Sequence, residues 1–484
     1  MKVLVIGLDC AAPELLLGDE SLTNFRRLMA MGCYGPLESI VPPITIPAWM
    51  CMASSQDPGS LGVYGFRNRT DHSYGKLSVA NSRSIRALTI WDQFAREGKR
   101  SVIIGVPPSY PPRPINGVSV GCFMTPSTAQ GVFTHPPELG ARIRELVGEY
   151  PVDVKGFRTE DKDWLKSQIY QMSRAHFRVV RALMQECPWD YFQFVEIGLD
   201  RMHHGFWKHH DPQHVLHKPD SPYKDCIRQY YRYLDEEVGS LLELLDEDTA
   251  VLVASDHGAQ RLDGGFCVNE WLIRQGLLAL HRYPEKVTPL ENLDVDWSRT
   301  TCWSEGGYYA RLFLNVKGRE PEGRIDPADA ARVRDEIKAR LEATVGPDGK
   351  PLGTLAFKPE EAYRQARGIP PDLIVHFGGL LWRSIGGVGY PTIHVLENDT
   401  GPDDCNHAQH GAFILSAPAC PLGGPIEGAH LLDVAPTLLE LAGAEPLQDA
   451  QGRSLIAGGP GPHASYRPDE EEVIRQRLRG LGYI

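Results

Sequence analysis

Three short apolar runs in this chain stop on an acid, and one of them adds an imidazole. They are "KVLVIGLD" at the start, "YFQFVEIGLD" at 191–200 and "TAVLVASDHG" at 249–258. Helical patterns alternate with them: "NFRRLMAMG" follows the first, "TIWDQFAREGK" precedes the further strand "RSVIIGVP", and "LDEEVGSLLELLDE" precedes the third. Strand then helix, repeated, predicts an α/β fold: a mainly parallel sheet with helices on both faces. In such sheets functional groups gather beyond the carboxyl ends of the strands. "VLVASDHGAQ" sharpens the point, because Asp256 and His257 are costly to bury side by side unless something binds them.

The bulk numbers narrow the class. A chain of 484 residues holds two or three domains, or one large domain with insertions. Its net charge of −12 argues against a nucleic-acid polymer surface and against tight binding to anionic lipid. A small phosphorylated substrate stays open, because bound cations reverse a local field. "MKVLVIGLDC" reads as a buried strand rather than a signal peptide. No stretch approaches the roughly 18 apolar residues of a membrane span. Ten cysteines without a CxxC pair suit reduced thiols and a cytoplasmic location, and give no zinc ribbon.

The domain expectation is a core of residues 1–268 and 376–460 with two insertions. The first is helical, about 130–186, and contains a long helix over roughly 162–186. There Leu165, Ile169, Met172, Val179 and Leu183 recur at helical spacing and read as core packing. The second, 269–375, reads as a small α/β subdomain, with "DPADAARVRDEIKARLEATV" as an amphipathic helix opened by an Asp cap and "PDLIVHF" as a strand. Residues 461–484 read as a Gly/Pro-rich linker and a charged helix, "DEEEVIRQRLRGLGYI".

The chemistry-bearing residues cluster at predicted strand ends. Asp9 closes the first strand and Asp256–His257 the "VLVA" strand. Asp200 and His204, in "LDRMHH", are spaced to share one helix face. His407 and His410 precede the apolar run "AFILSAP". A mixed Asp/His set suits zinc or manganese. In "PPITIPAWMCMASS", Thr45 stands before a Pro-containing turn, with "AWMCMASS" read as a helix. That aims its hydroxyl at a helix N-terminus, where anions bind. Threonine attacks only when a base or a metal activates it.

These residues, in this order, resemble the alkaline phosphatase superfamily, and within it the type I phosphodiesterase/nucleotide pyrophosphatase group. The uncharacterised prokaryotic phosphohydrolase-or-phosphomutase members are the most similar branch. Asp9 matches the N-terminal metal aspartate, "TIPAW" the nucleophile turn, "LDRMHH" the aspartate–histidine pattern, "SDHG" its counterpart directly, and "NHAQHG" the last histidine. "HLLDVAPTLLELAG" resembles the segment that closes the fold. The resemblance implies two divalent metal ions, zinc first and manganese second. Asp9, Asp256, His257 and the Thr45 oxygen would hold one, and Asp200, His204 and His407 the other. His410 is the alternative to His407, and His203 reads as a neighbour of the ligands. There are departures from the pattern. Leu61 precedes Gly62 where the family often has histidine, and the substrate asparagine of the nucleotide pyrophosphatases falls near Phe66. Asn68, flanked by Arg67 and Arg69, is the expected substitute, against the plainer reading of a polar surface turn.

The resemblance implies a phosphohydrolase in which Thr45 forms a covalent phosphothreonine that water then hydrolyses. A phosphomutase similar to cofactor-independent phosphoglycerate mutase is the second reading. That family uses serine, so Thr45 weighs against it, although the 269–375 insertion would serve as its cap. A sulfatase does not fit, because Cys51 lacks the Cys/Ser-x-Pro-x-Arg context. A non-catalytic metal-binding scaffold is the third, and the filled ligand and nucleophile positions weigh against it. "WSEGGYY" and "KGREPEG" read as either contact loops or structural turns.

Overall fold

The computed structural model describes residues 1–456 except 76, 397 and 419. The linker and charged helix expected at 461–484 lie outside the described residues. The strand Lys2–Leu8 runs through the middle of the largest sheet, parallel to Tyr191–Glu196 on one side and Thr249–Ala254 on the other. Beyond Tyr191–Glu196 the sheet continues through Ser101–Ile104, Gly117–Val120 and Thr134–His135. Beyond Thr249–Ala254 it continues through His410–Ser416, which is antiparallel, and Cys33–Glu38.

The apolar character of the first run follows from its place. Leu4, Ile6 and Leu8 pack into one buried cluster with residues of the helices Thr23–Ala30, Lys162–Glu186, Gly198–His210 and Cys226–Leu242. Val3 and Val5 point the other way, into a cluster with the helices Thr45–Ser54, Ile90–Arg96 and Val434–Leu441. Side chains alternate across a strand, so a strand covered on both faces must be apolar throughout. The long helix runs Lys162–Glu186, with Asp161 accepting from Trp164 N at 3.1 Å as its cap. Leu165, Ile169, Met172, Val179 and Leu183 are all buried, as their spacing requires.

Register places the functional edge. Leu8 lies opposite Glu196, and Gly7 opposite Ala254. Asp9 and Asp256 therefore emerge at the same carboxyl edge. The strand His410–Ser416 runs the other way, with Phe413 opposite Ala254. Its start returns to that edge, and the preceding strand Cys405–Ala408 pairs with Gly258–Arg261, putting His407 opposite Ala259.

Residues of the stretch 269–375 contribute to a separate buried cluster, which also takes in Phe266, Val268 and Phe377. Cys302–Glu305, Ala310–Leu314, Leu373–His376 and Leu355–Phe357 form an antiparallel four-stranded sheet. Helix Ala330–Glu342 contributes Ile337 and Leu341 to a cluster that runs from Phe266 to Phe377. Asp326 accepts from Ala328 N at 3.2 Å and opens the short turn ahead of that helix. "KGREPEG" is built into this subdomain. Glu320 is buried, pairs with Arg69 at 3.2 Å, and Arg319 bridges to Asp372 at 2.8 Å. Among the described residues no helix is long and apolar enough to cross a membrane.

Candidate active site

Asp9 sits one residue past its strand and is wholly buried. Its Oδ2 accepts from Trp49 Nε1 at 2.8 Å, while Oδ1 has no hydrogen bond. Gly7 makes this possible: a Cβ there would stand 2.7 Å from the Trp49 ring. Asp256 accepts from the Cys10 amide at 3.3 Å through Oδ1 and leaves Oδ2 without a hydrogen bond. Burial, then the charge of Asp200, push the Asp9 carboxyl well up from its usual range; burial, then Asp9, do the same to Asp256.

Thr45 opens its helix. The helix begins at Thr45 rather than at Ala48, since Pro47 falls in the first turn, where a missing N–H costs no intrahelical bond. No side chain caps this helix, so the hydroxyl is not spent as a cap. It stands 3.2 Å from His257 Nε2. The same nitrogen is 3.2 Å from Asp256 Oδ2 and 3.7 Å from Asp9 Oδ1. Burial holds the His257 imidazole down at about 4, which keeps it neutral at physiological pH.

Asp200 does not end its strand. The strand stops at Glu196, and Asp200 lies in the first turn of helix Gly198–His210. One turn on, His204 Nε2 lies 3.1 Å from Asp200 Oδ2 and makes no hydrogen bond of good geometry. His407 Nε2 is 3.9 Å from the same oxygen, and its Nδ1 bonds Pro43 O at 2.9 Å. Burial raises Asp200, but the His204 and Arg201 charges beside it outweigh that and hold it well down. Burial, then the neighbouring His257, push His407 well down.

The seven expected ligands therefore come together. Asp9, Asp256 and His257 present donor atoms within 4.8 Å of one another, and so do Asp200, His204 and His407. Stacked rings of His257 and His407, 3.8 Å apart, join the two sets. Buried carboxylate oxygens without hydrogen bonds, beside the His257 and His407 imidazoles that burial keeps neutral, are donors suited to a divalent cation. His410 is exposed at the start of its own strand, and His203 packs edge-on against Trp207.

The two expected substrate contacts lie differently. Asn68 spends its amide locally, accepting from Tyr64 N at 2.7 Å and donating to Gly65 O at 3.0 Å. Arg67 pairs with Glu305 at 3.1 Å and is half exposed. Gly62, preceded by Leu61, closes a one-turn helix in the left-handed conformation at φ 70°.

Sequence reasoning missed Asp403. Its Oδ1 lies 2.5 Å from His204 Nδ1, leaving Nε2 to face Asp200. Arg158 and Arg383 flank the other oxygen at 3.1 and 3.4 Å. Burial would raise the Asp403 carboxyl, yet His204 and these guanidinium groups bring it down to about 2. The acidic pair in "GPDDCNH", just before His407, was the available signal. From "WSEGGYY", Tyr308 lays its ring 4.4 Å from the His407 ring and accepts from Arg158 Nη2 at 2.6 Å. At least part of that segment therefore touches the site.

The model of the type I phosphodiesterase/nucleotide pyrophosphatase family matches residues 3–411. Human ectonucleotide pyrophosphatase/phosphodiesterase 5 superposes with a TM-score of 0.50 at 14% identity, over 93% of this chain and 97% of that one. The murine protein gives 0.49 at 14%, over 92% and 96%. At this identity the likeness is one of fold. No curated protein matches by sequence. The family match spans most of the chain, and the chain belongs to the type I phosphodiesterase/nucleotide pyrophosphatase family, a metal-dependent phosphoester hydrolase of the alkaline phosphatase superfamily.

Proposed function

We propose that this protein cleaves phosphodiesters or phosphoanhydrides of small substrates through a phosphothreonine formed at Thr45. Asp9, Asp256, His257 and the Thr45 oxygen would hold one divalent cation, and Asp200, His204 and His407 a second, with zinc preferred to manganese. The observation that carries this reading is the set of buried atoms left without hydrogen bonds: Asp9 Oδ1 and Asp256 Oδ2 in the set that His257 joins to Thr45, and His204 Nε2 in the set with Asp200 and His407. When bound, such a pair supplies Lewis-acid charge that lowers the cost of an alkoxide and of the departing oxygen.

The chain's own residues do the rest. Thr45 Oγ1 stands at a helix N-terminus, whose first N–H groups have no intrahelical partner and favour an incoming phosphoryl anion. Attack forms the Thr45 O–P bond and breaks the ester or anhydride P–O bond on the far side. Water then cleaves the O–P bond and restores the hydroxyl. Asp9, fixed by Trp49, and His204, fixed by Asp403, keep their donor atoms in place through the cycle. Arg67 can exchange Glu305 for a substrate anion, whereas the Asn68 amide is already committed to its turn. All ten cysteines are free of disulfides, which supports a reducing compartment such as the cytoplasm.

Rapid quenching with a phosphorus-labelled chromogenic diester tests the mechanism. Label should be trapped on Thr45 of the wild type and on no residue of Thr45→Ala. Label that is never trapped, with Thr45→Ala turning over normally, would make water the direct attacker.

A further inference from the structure

We propose that Cys10 is a ligand of this two-cation centre: its Sγ, beside His257 and His407, adds a thiolate donor that selects a thiophilic divalent cation of the zinc class and so disfavours manganese. The inference rests on the two-cation reading above and specifies its metal chemistry.

Cys10 follows Asp9 directly and is wholly buried. Its amide donates to Asp256 Oδ1, which ties the residue between the two carboxylates of the first set. Its Sγ, a ring nitrogen of His257 and a ring nitrogen of His407 lie within 4.8 Å of one another. His257 belongs to the Asp9/Asp256 set and His407 to the Asp200/His204 set. The thiol therefore lies beside one imidazole of each set. Its hydrogen-bond partner is Gly258 O at 3.4 Å, a weak thiol bond that a cation can displace.

The backbone adds to the case. Cys10 has φ 68°, a left-handed conformation that favours glycine. A side chain is kept where its absence would relax the turn. The thiol is not needed as the nucleophile, since Thr45 occupies that place. Burial also keeps it from substrate. What remains is its donor chemistry. Thiolate selects zinc, cadmium and cobalt over manganese and magnesium, whereas carboxylate and imidazole alone discriminate less. On binding, the S–H proton leaves to solvent as the sulfur–cation bond forms. Cys405 is the other thiol placed in such a set, with His204 and Asp403.

Cobalt(II) loaded into the chelator-stripped full chain separates the claims. Visible d–d absorption at two cobalt ions per chain reports the centre itself. A thiolate-to-cobalt charge-transfer band in the near ultraviolet reports the sulfur. The band should appear in the wild type, vanish in Cys10→Gly and survive in Cys405→Ser. Cys10→Gly suits the left-handed backbone, and its far-ultraviolet dichroism should match the wild type. Its cadmium affinity should fall by about 10-fold or more while its manganese affinity barely moves, in line with the 10–100-fold changes seen when a metal site loses a supporting group. Two bound cobalt ions with no charge-transfer band, or a band that persists in Cys10→Gly, would overturn the thiol ligand and leave the centre standing. A wild-type chain that binds no cobalt would overturn both.

Discussion

Glu196 and Asp9 stand at neighbouring strand ends, both wholly buried, and the Glu196 carbonyl even accepts the Asp9 amide at 3.1 Å. Their side chains have opposite fates. Glu196 is surrounded by donors: Ser173 Oγ at 2.7 Å, Gly198 N at 2.9 Å, Tyr230 OH at 3.0 Å and His176 Nδ1 at 3.1 Å. Burial raises its carboxyl, but His176 and these bonds outweigh burial and hold it low. Asp9 and its neighbour Asp256 have one oxygen each without a hydrogen bond, and both are pushed up. One carboxylate is complete as folded. On the proposed two-cation reading, the other two are completed by a cation. Burial alone therefore does not mark a functional acid; burial without compensation does.

The largest expected effect breaks the uncompensated side at its reacting atom. Thr45→Ala should lower kcat by about 1,000-fold or more, the order seen when a key transition-state group is lost. Cation binding, read by calorimetry, should change little. Thr45→Ser, which keeps the oxygen, should retain part of the activity. Near wild-type turnover in Thr45→Ala would detach Thr45 from the chemistry and leave His257 Nε2 facing an idle hydroxyl.

The next pair of variants tests the comparison directly. Glu196→Gln should destabilise the chelated protein by about 3–5 kcal/mol, because it strands a buried partner, His176. Asp256→Asn should leave the chelated protein at least as stable as wild type, because it removes a crowded carboxylate, yet it should cost about 100-fold or more in kcat/KM. Differential scanning calorimetry in chelator and steady-state rates in zinc check both. If Asp256→Asn instead unfolded the metal-free chain, "SDHG" would be a structural turn and the contrast with Glu196 would fail.

Asp403 tests whether compensation also works at one remove. Its carboxylate fixes the ring of His204. Asp403→Asn should weaken the second cation by roughly 10–100-fold. Stepwise titration with zinc should show one site lost and the Asp9/Asp256 site kept. Equal weakening of both sites would make Asp403 a general support of the fold.

These residues also show how far the sequence alone reached. The parallel sheet was legible because strands buried on both faces must be apolar, and "KVLVIGL" and "TAVLVA" are. Asp9, Asp256 and His257 were legible because a charge at the end of such a run needs a reason. Asp200 was placed at a strand end and lies instead in a helix, yet its four-residue spacing to His204 still paired them. Thr45 was placed ahead of its helix and lies in it, because proline is tolerated in a first turn. Asp403 was not legible as a partner. Its contact to His204 crosses 199 positions, and no local spacing encodes that. Tyr308 escaped for the same reason, since it reaches His407 from the inserted subdomain.

The smallest effect concerns the compensated side and has a definite sign with pH. His176 lies above its ordinary value of 6.5, because the Glu196 charge and bonds outweigh burial. Its contribution is complete below 6.5 and is lost as pH rises through the higher folded value. Glu196 lies below its ordinary value of 4.5, so its contribution is complete above 4.5 and is lost as pH falls through the lower folded value. The pair should therefore stabilise most between 4.5 and 6.5. Urea unfolding of chelated wild type and His176→Asn should differ most in that window. The difference should shrink above it, as pH rises through the higher folded value of His176. A difference constant from pH 5 to pH 9 would mean that His176 stays neutral against Glu196. Glu196 would then owe its low range to Ser173, Tyr230 and Gly198 alone, and compensation by hydrogen bonds would suffice where Asp9 and Asp256 need a cation.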